Sequence, residues 1–381
     1  MANILVVGRR RSCYKAAQKL GHQVFLWSDS PLHESRKRNL AGWIEQKFDS
    51  CKEDIPSSIL NEIRTFQIDF VVAATESSVE LAAKIRHQLN LPGTSLEVAN
   101  LLHDKYQMKL RAREFNIPIT SFHLIDENDT SEFLIEKLGL PLVIKPLSES
   151  GARGVSIIQS ALEAEPLIKP GLLAESFVAG SEVSVETFIH AGKPIFHNIT
   201  DYIHQWRKSI MPAELDEALA EKILALNDQA LKAFGVESGI THAEFYLTKE
   251  GPVFGEMAVR PPGGYYMDLM ELSYGFDPWK LYVQLETKEE PDIPNNRPLK
   301  YSSVLMIHPG EGTVASIEGL DQVKSIAEID RFKLKADVGD QVSSHVSTSS
   351  EIGHIIMSSS NNKKLLENME FIEQNLVIKL D

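Results

Sequence analysis

The residues of this chain best placed to do chemistry are a lysine, a run of small residues, four acids and an arginine, in that order. Lys145 ends the apolar run Val143-Ile144-Lys145. Pro146-Leu147-Ser148-Glu149-Ser150-Gly151-Ala152-Arg153-Gly154 then leads into a second apolar run, Val155-Ser156-Ile157-Ile158. Small residues let a backbone approach an anion with its N–H groups forward, and a lysine adds a point charge. This is a phosphate clamp on a hairpin, held by Lys145, Ser150, Gly151 and Gly154; an ordinary turn is the alternative for such a hairpin taken alone. The strand-to-helix phosphate loop of the P-loop enzymes is a different device, and its Gly-Lys-Ser/Thr ending is absent. A strand-end lysine facing a cleft should carry little packing.

Downstream, Leu172-Leu173-Ala174-Glu175-Ser176-Phe177-Val178-Ala179-Gly180-Ser181-Glu182-Val183 reads as a strand, a hinge and a second strand that enclose two acids. An adenine needs an apolar slot with an acceptor and a backbone edge, and a ribose needs a carboxylate for its hydroxyls. Thr241-His242-Ala243-Glu244 and Phe254-Gly255-Glu256-Met257-Ala258-Val259-Arg260 flank the turn Lys249-Glu250-Gly251-Pro252. A hairpin there brings Glu244 beside Glu256. Paired carboxylates on adjacent strands are unfavourable unless a cation joins them, and Mg²⁺ bridging phosphates suits such a pair. Arg260, four residues past Glu256, falls on the same face of an extended strand.

This order of features resembles the ATP-grasp superfamily, in detail from Asp104 to Gly264 and loosely over the whole chain. The resemblance implies ATP and Mg²⁺, with Mn²⁺ an alternative. Lys105 and Lys145 match the family's two nucleotide lysines. Glu175, Phe177 and Val178 match its adenine hinge, Glu182 its ribose acid, Glu244 and Glu256 its metal ligands, and Arg260 its arginine at the transferred phosphoryl group. Ala258 departs from the family, which usually carries Asn there, and so removes one metal ligand. Thr241-His242-Ala243-Glu244 and the Glu-x-Ala-x-Arg run at Glu256 resemble the amino-acid ligase, or dipeptide synthetase, branch. The implied activity is a carboxylate–amine ligase that works through an acyl phosphate. A carboxylase-type enzyme activating bicarbonate and a non-catalytic ATP-binding protein are the alternatives.

The elements that must position these residues fit an α/β chain. Its 381 residues are enough for several lobes. A net charge of −14 argues against a nucleic-acid surface. Two cysteines, Cys13 and Cys51, sit at no metal-binding spacing and suit a cytoplasmic protein. The apolar residues 2–8 are too few for a membrane span. Asn3 to Gly8, Gln23 to Trp27 and Phe66 to Ala74 read as strands, and Ser12 to Leu20 and Val79 to Leu89 as helices. The alternation predicts a doubly wound first lobe, and no Gly-x-Gly-x-x-Gly supports a dinucleotide site there. Arg9-Arg10-Arg11 reads as a solvated turn, with an anion contact as the alternative.

The expected organisation is an N-terminal α/β domain over 1–102 and an ATP-grasp domain over 103–298 with its lid at about 118–192. An α+β subdomain over 299–381 completes it. Helices are expected over Ala213 to Phe234 and Leu365 to Gln374. His190, His197 and His204 recur every seven residues, a spacing that fits neither one strand nor a chelating helix turn. His242 shares a strand face with Glu244 and is a substrate contact or a hydrogen-bonded core histidine. Arg207, in the polar loop His204-Gln205-Trp206-Arg207-Lys208, is a candidate carboxylate contact. Gly263 and Gly264 are candidates for the substrate pocket, followed by Tyr265-Tyr266. Small carboxylate and amine substrates are implied, and the family allows a homodimer.

Overall fold

The computed structural model describes residues 1–381 apart from 52, 150, 152, 205, 206 and 344–350. Ser150, Ala152, Gln205 and Trp206, named above, lie outside the described residues.

The first lobe is a four-stranded parallel sheet in the order Gly42–Glu45, Gln23–Ser28, Asn3–Val7, Phe70–Ala73. Ile4 to Val7 are fully buried, which is why this strand reads as an unbroken apolar run. The helices Arg11–Lys19 and Val79–Leu89 follow strands in the α/β manner. The strand expected from Phe66 begins only at Phe70. Gln67 takes a left-handed conformation with φ 51° and turns the chain out of the helix Ser57–Thr65 first.

A separate four-stranded antiparallel sheet, ordered Phe122–Leu124, Leu173–Ser176, Leu142–Lys145, Ser156–Ile158, carries the clamp. The hairpin register pairs Leu142 with Ile158 and Ile144 with Ser156. The strand Ser181–His190 belongs to a different, eight-stranded sheet. That sheet runs Gly251–Ala258, Gly239–Thr248, Ser181–His190, Lys193–His204, Lys208–Met211, Tyr301–Ile307, Gly353–Ser359, Ile329–Leu334. Tyr301–Ile307 pairs antiparallel with Lys208–Met211, so the C-terminal segment extends the central sheet directly. A small three-stranded sheet of Gln341–Val342, Gly312–Glu318 and Val377–Leu380 completes it.

The helix expected from Ala213 spans Glu217–Phe234. Its start is fixed by the Asp216 side chain, which accepts from the Leu219 amide at 2.9 Å. The last helix runs Asn362–Asn375, earlier than expected, because Asn361 caps it by accepting from the Lys363 amide at 3.0 Å. Among the described residues no helix is long and apolar enough to cross a membrane.

One buried ion pair fastens the first lobe to the rest. Arg86, on Val79–Leu89, donates to Glu286 at 2.6 Å and to the Val71 carbonyl at 3.0 Å through Nε. Both side chains are at most 5% exposed. Removing one partner of such a pair leaves an uncompensated buried charge. Arg86→Ala should therefore lower the unfolding free energy by about 3–5 kcal/mol, measured by denaturant titration. Adding Glu286→Gln should recover part of the loss, because it removes the stranded carboxylate.

Candidate active site

The first-lobe sheet, the clamp sheet and the eight-stranded sheet close on a cavity of about 490 Å³. Its walls come from the clamp hairpin, the hinge after Ser176, the hairpin Gly239–Ala258 and the ends of the first lobe's strands. The register of that long hairpin sets Glu244 directly opposite Glu256. Side chains on one strand face recur every second residue, so Tyr246, Glu244 and His242 succeed one another along the cavity. On the neighbouring strand Glu182, Ser184 and Glu186 lie opposite them in the same order.

At the hinge end, Val143, Ile157, Phe177, Val178 and Met257 form an apolar slot, with Glu182 and Tyr246 at its side. Glu175 also borders the cavity but is only 4% exposed. It lies between two lysines, Lys145 at 3.0 Å and Lys109 at 3.3 Å. Thr120 accepts from Lys109 at 3.0 Å and donates to Glu175 at 3.2 Å. Burial pushes the Glu175 carboxyl up, but the two lysines outweigh this and hold it below its ordinary value. Lys145 is 11% exposed at its side chain, so it is a packed residue as well as a cleft residue. The expectation that it carries little packing is corrected by this buried pairing.

Lys105 joins the clamp to the paired acids. Its Nζ donates to the Glu149 carbonyl at 2.6 Å and lies 3.3 Å from Glu256. Burial raises the Glu256 pKa, while Lys105 and Lys145 outweigh burial and bring it to about 2. Gly151 lines the cavity; Gly154 does not. Gly154 shapes the turn instead, at φ 70°, where an added Cβ would come within 2.9 Å of Pro146.

At the far end the strand stops at Ala258, so Arg260 reaches the cavity from the loop beyond and not from the strand face. Its guanidinium is ion-paired with Glu76, which follows the first-lobe strand Phe70–Ala73. Burial raises the Glu76 pKa, and Arg260 outweighs it, so the carboxyl stays charged. His242 donates through Nδ1 toward Glu186 at 2.9 Å, with the Tyr202 hydroxyl 3.3 Å from Nε2. Burial alone would lower its pKa, but hydrogen bonds to Glu186 and Glu244 raise it to about 9. Glu186 is fully buried and also accepts from Ser184, Asn198 and Thr200 at 2.6–2.8 Å. Gly263 and Gly264 line this end with Tyr266 and Met306.

Arg207 does not line the cavity; its carbonyl accepts from the Met306 amide at 2.8 Å. The sequence reading also passed over Lys109, Glu76, Glu186 and Tyr202. Lys109 had a signal, a lysine one helical turn past Lys105 among apolar neighbours. Glu76 had another, an acid just past the C-terminal end of a parallel strand, where α/β sheets bind ligands.

Glu244 and Glu256 present hard carboxylate oxygens on adjacent strands, the donor chemistry Mg²⁺ takes. Among the described residues no three His, Cys, Asp or Glu side chains gather as a complete metal set. The pair therefore fits a cation that draws its remaining ligands from phosphate and water. Ala258, opposite His242 at the cavity wall, adds no oxygen.

The buried lysine pair yields a stability prediction. Glu175→Gln keeps the shape and leaves Lys109 and Lys145 facing each other without their acid. A loss of about 3–5 kcal/mol is expected at neutral pH. A carboxyl held low in the folded state stabilises above its unfolded pKa and loses that contribution as pH falls. The gap between wild type and variant should therefore be full at pH 7 and shrink below the ordinary carboxyl value of 4.5. Thermal unfolding across pH 3–7 checks this, and a gap independent of pH would contradict it.

Comparison with known proteins places these features in a family. A family model of the ATP-grasp domain matches residues 110–273, and one described as L-amino acid ligase C-terminal domain 2 matches residues 305–381. The chain is 23% identical over 344 residues to the L-arginine-specific L-amino acid ligase of Bacillus subtilis, covering 85% of this chain and 83% of that protein. It is 22% identical over 311 residues to dapdiamide A synthase of Enterobacter agglomerans, covering 74% and 73%. The crystal structure of the L-amino acid ligase from Bacillus licheniformis shares its fold, with a TM-score of 0.84 over 100% of this chain and 99% of that one at 21% identity. The chain thus carries an ATP-grasp domain followed by a domain of the L-amino acid ligase C-terminal type.

Proposed function

We propose that this protein is an ATP-dependent carboxylate–amine ligase that activates a small carboxylate, an amino acid or a similar acid, as an acyl phosphate. The observation that carries the reading is the gathering of Lys105, Lys145, Glu244, Glu256 and Arg260 on one cavity beside an apolar slot. In this reading Phe177 and Val178 hold the adenine and Glu182 takes the ribose hydroxyls. Lys105, Lys145 and the clamp backbone at Gly151 hold the phosphates, with Gly154 shaping the turn behind it. Glu244 and Glu256 would hold Mg²⁺, or Mn²⁺, which screens phosphate charge when bound.

An oxygen of the substrate carboxylate bonds to the terminal phosphorus as the bond from that phosphorus to the ADP oxygen breaks. Arg260 would offset charge on the phosphoryl oxygens during this transfer. The amine nitrogen then bonds to the acyl carbon, the carbon–oxygen bond to phosphate breaks, and the nitrogen loses a proton. The products are an amide, ADP and phosphate. No side chain serves as a covalent nucleophile. His242, held by Glu186, and the Gly263–Gly264 turn would border the reacting carboxylate.

The order of groups along the strand Gly239–Thr248 supports attack at the terminal phosphate. Tyr246 lies opposite Glu182 near the hinge, and Glu244 and His242 follow toward Arg260. The test is a panel of amino acids with ATP, Mg²⁺ and hydroxylamine as the amine. The expected result is a hydroxamate with an equal amount of ADP. AMP as the nucleotide product would refute the acyl phosphate. ADP that depends on bicarbonate, without hydroxamate, would point to a carboxylase-type enzyme. ATP binding without turnover across the panel would point to a non-catalytic protein.

A further inference from the structure

Among the described residues four permanently cationic side chains line the cavity, and three of them already have a carboxylate partner. Lys105 lies 3.3 Å from Glu256, Lys145 lies 3.0 Å from Glu175, and Arg260 is paired with Glu76. The fourth is Arg10, which enters from the first lobe between the strand Asn3–Val7 and the helix Arg11–Lys19. Among the described residues no carboxylate lies within 4.0 Å of it. Its neighbours Arg9 and Arg11 do not reach the cavity. All three arginines of this run are exposed, and Arg10 is the one of them that borders the cavity.

Arg10 also has a definable position. Burial and Glu351 push the Tyr265 hydroxyl upward, and the charge of Arg10 is close enough to work against them. The strand before Arg10 pairs with Phe70–Ala73, which leads to Thr75 and Glu76, and Glu76 is paired with Arg260, so Arg10 stands at the Arg260 end of the cavity, remote from the adenine slot. Space is open there: a Cβ added at Gly263 meets nothing within 4 Å. Thr75 adds a hydroxyl to the same wall.

The ligase reading, on which this inference rests, brings two substrates to that end. The carboxylate to be activated must face the terminal phosphate, beside Arg260 and the paired acids. The amine must reach the acyl carbon beside that carboxylate, where Arg10 and Thr75 of the first lobe also border the cavity. An unpaired guanidinium there is a planar fork of donors matched to a carboxylate. We propose that Arg10 is a specificity-determining residue that binds a free carboxylate carried by the amine substrate. The acceptor is then an amino acid or a peptide, and the carboxylate at Arg10 becomes the C-terminus of the product.

A phosphate group on the amine would offer Arg10 a similar charge, so the test carries both. The donor is the amino acid that gives most hydroxamate with hydroxylamine. Acceptors are the twenty standard L-amino acids, their α-amides and O-phosphoethanolamine, with products identified by mass spectrometry. The wild type should use amino acids and discriminate against the matching amides. Arg10→Ala should raise the acceptor KM roughly ten- to hundredfold and abolish that discrimination. Arg10→Lys should recover part of it, as a point charge replaces the fork. Hydroxylamine carries no anion, so the hydroxamate rate should change less than about twofold in either variant. Both variants should unfold at the wild-type temperature, since Arg10 is exposed.

Equal use of acids and amides by the wild type overturns the inference and leaves the ligase reading intact. So does a preference for acids that survives Arg10→Ala. Use of O-phosphoethanolamine above every amino acid overturns the carboxylate assignment. Absence of both hydroxamate and ADP with every donor overturns the ligase reading and this inference with it.

Discussion

Bringing carboxylates and ammonium groups out of water costs several kcal/mol for each ion unless opposite charges arrive together. The cavity of this protein is arranged around that constraint. Glu175 is shared by Lys109 and Lys145, Glu256 is met by Lys105, and Arg260 is met by Glu76. Lys145 and Glu175 lie on neighbouring strands of the clamp sheet, while Lys109, Lys105 and Arg260 each bring a separate segment to its acid. Lys105 joins the first turn of a helix to the hairpin acid and, through the Glu149 carbonyl, to the clamp. Glu76 and Arg260 join the first lobe to the end of the central sheet. The same pairs keep cations in place that a polyphosphate can then engage, so the charges that organise the fold are the charges the proposed chemistry uses.

The central sheet turns this pairing into a fixed order. Because alternate residues share a face, one strand delivers Tyr246, Glu244 and His242 in sequence, and its neighbour delivers Glu182, Ser184 and Glu186. Glu186 is fully buried and fully engaged, which fixes the ring of His242 against the cavity wall. The C-terminal segment belongs to this order too. Tyr301–Ile307 continues the sheet and places Met306 in the cavity lining. Tyr265 donates to Glu351 at 2.8 Å and its ring lies 4.0 Å from that of His354, so the segment also secures the turn that carries Gly263 and Gly264.

What could be read in the sequence was what local geometry decides. The pairing of Glu244 with Glu256 follows from a short turn and a two-residue period, and the clamp hairpin follows from apolar runs around small residues. The first lobe's strands were legible because burial on both faces makes them continuous apolar runs. Pairings across long separations were not. Arg260 and Glu76 stand 184 residues apart, and nothing local in either segment names the other. Lys109 looked like one more helix lysine until the fold buried it against Glu175. Helix starts shifted where a single cap, Asp216 or Asn361, outweighed the hydrophobic pattern. Arg207 sat in a loop of the right composition, but its backbone joins the sheet near Met306 and its side chain does not line the cavity.

The central claim is that the substrate's carboxylate is phosphorylated before the amine arrives. Oxygen transfer reports on that step without relying on any variant. A donor amino acid labelled with ¹⁸O in both carboxylate oxygens is turned over with ATP and an amine, and the released phosphate and the amide are analysed by mass spectrometry. The acyl phosphate route predicts one labelled oxygen in phosphate and one in the amide carbonyl for each amide formed. Label in AMP, or unlabelled phosphate beside a completed amide, would contradict it.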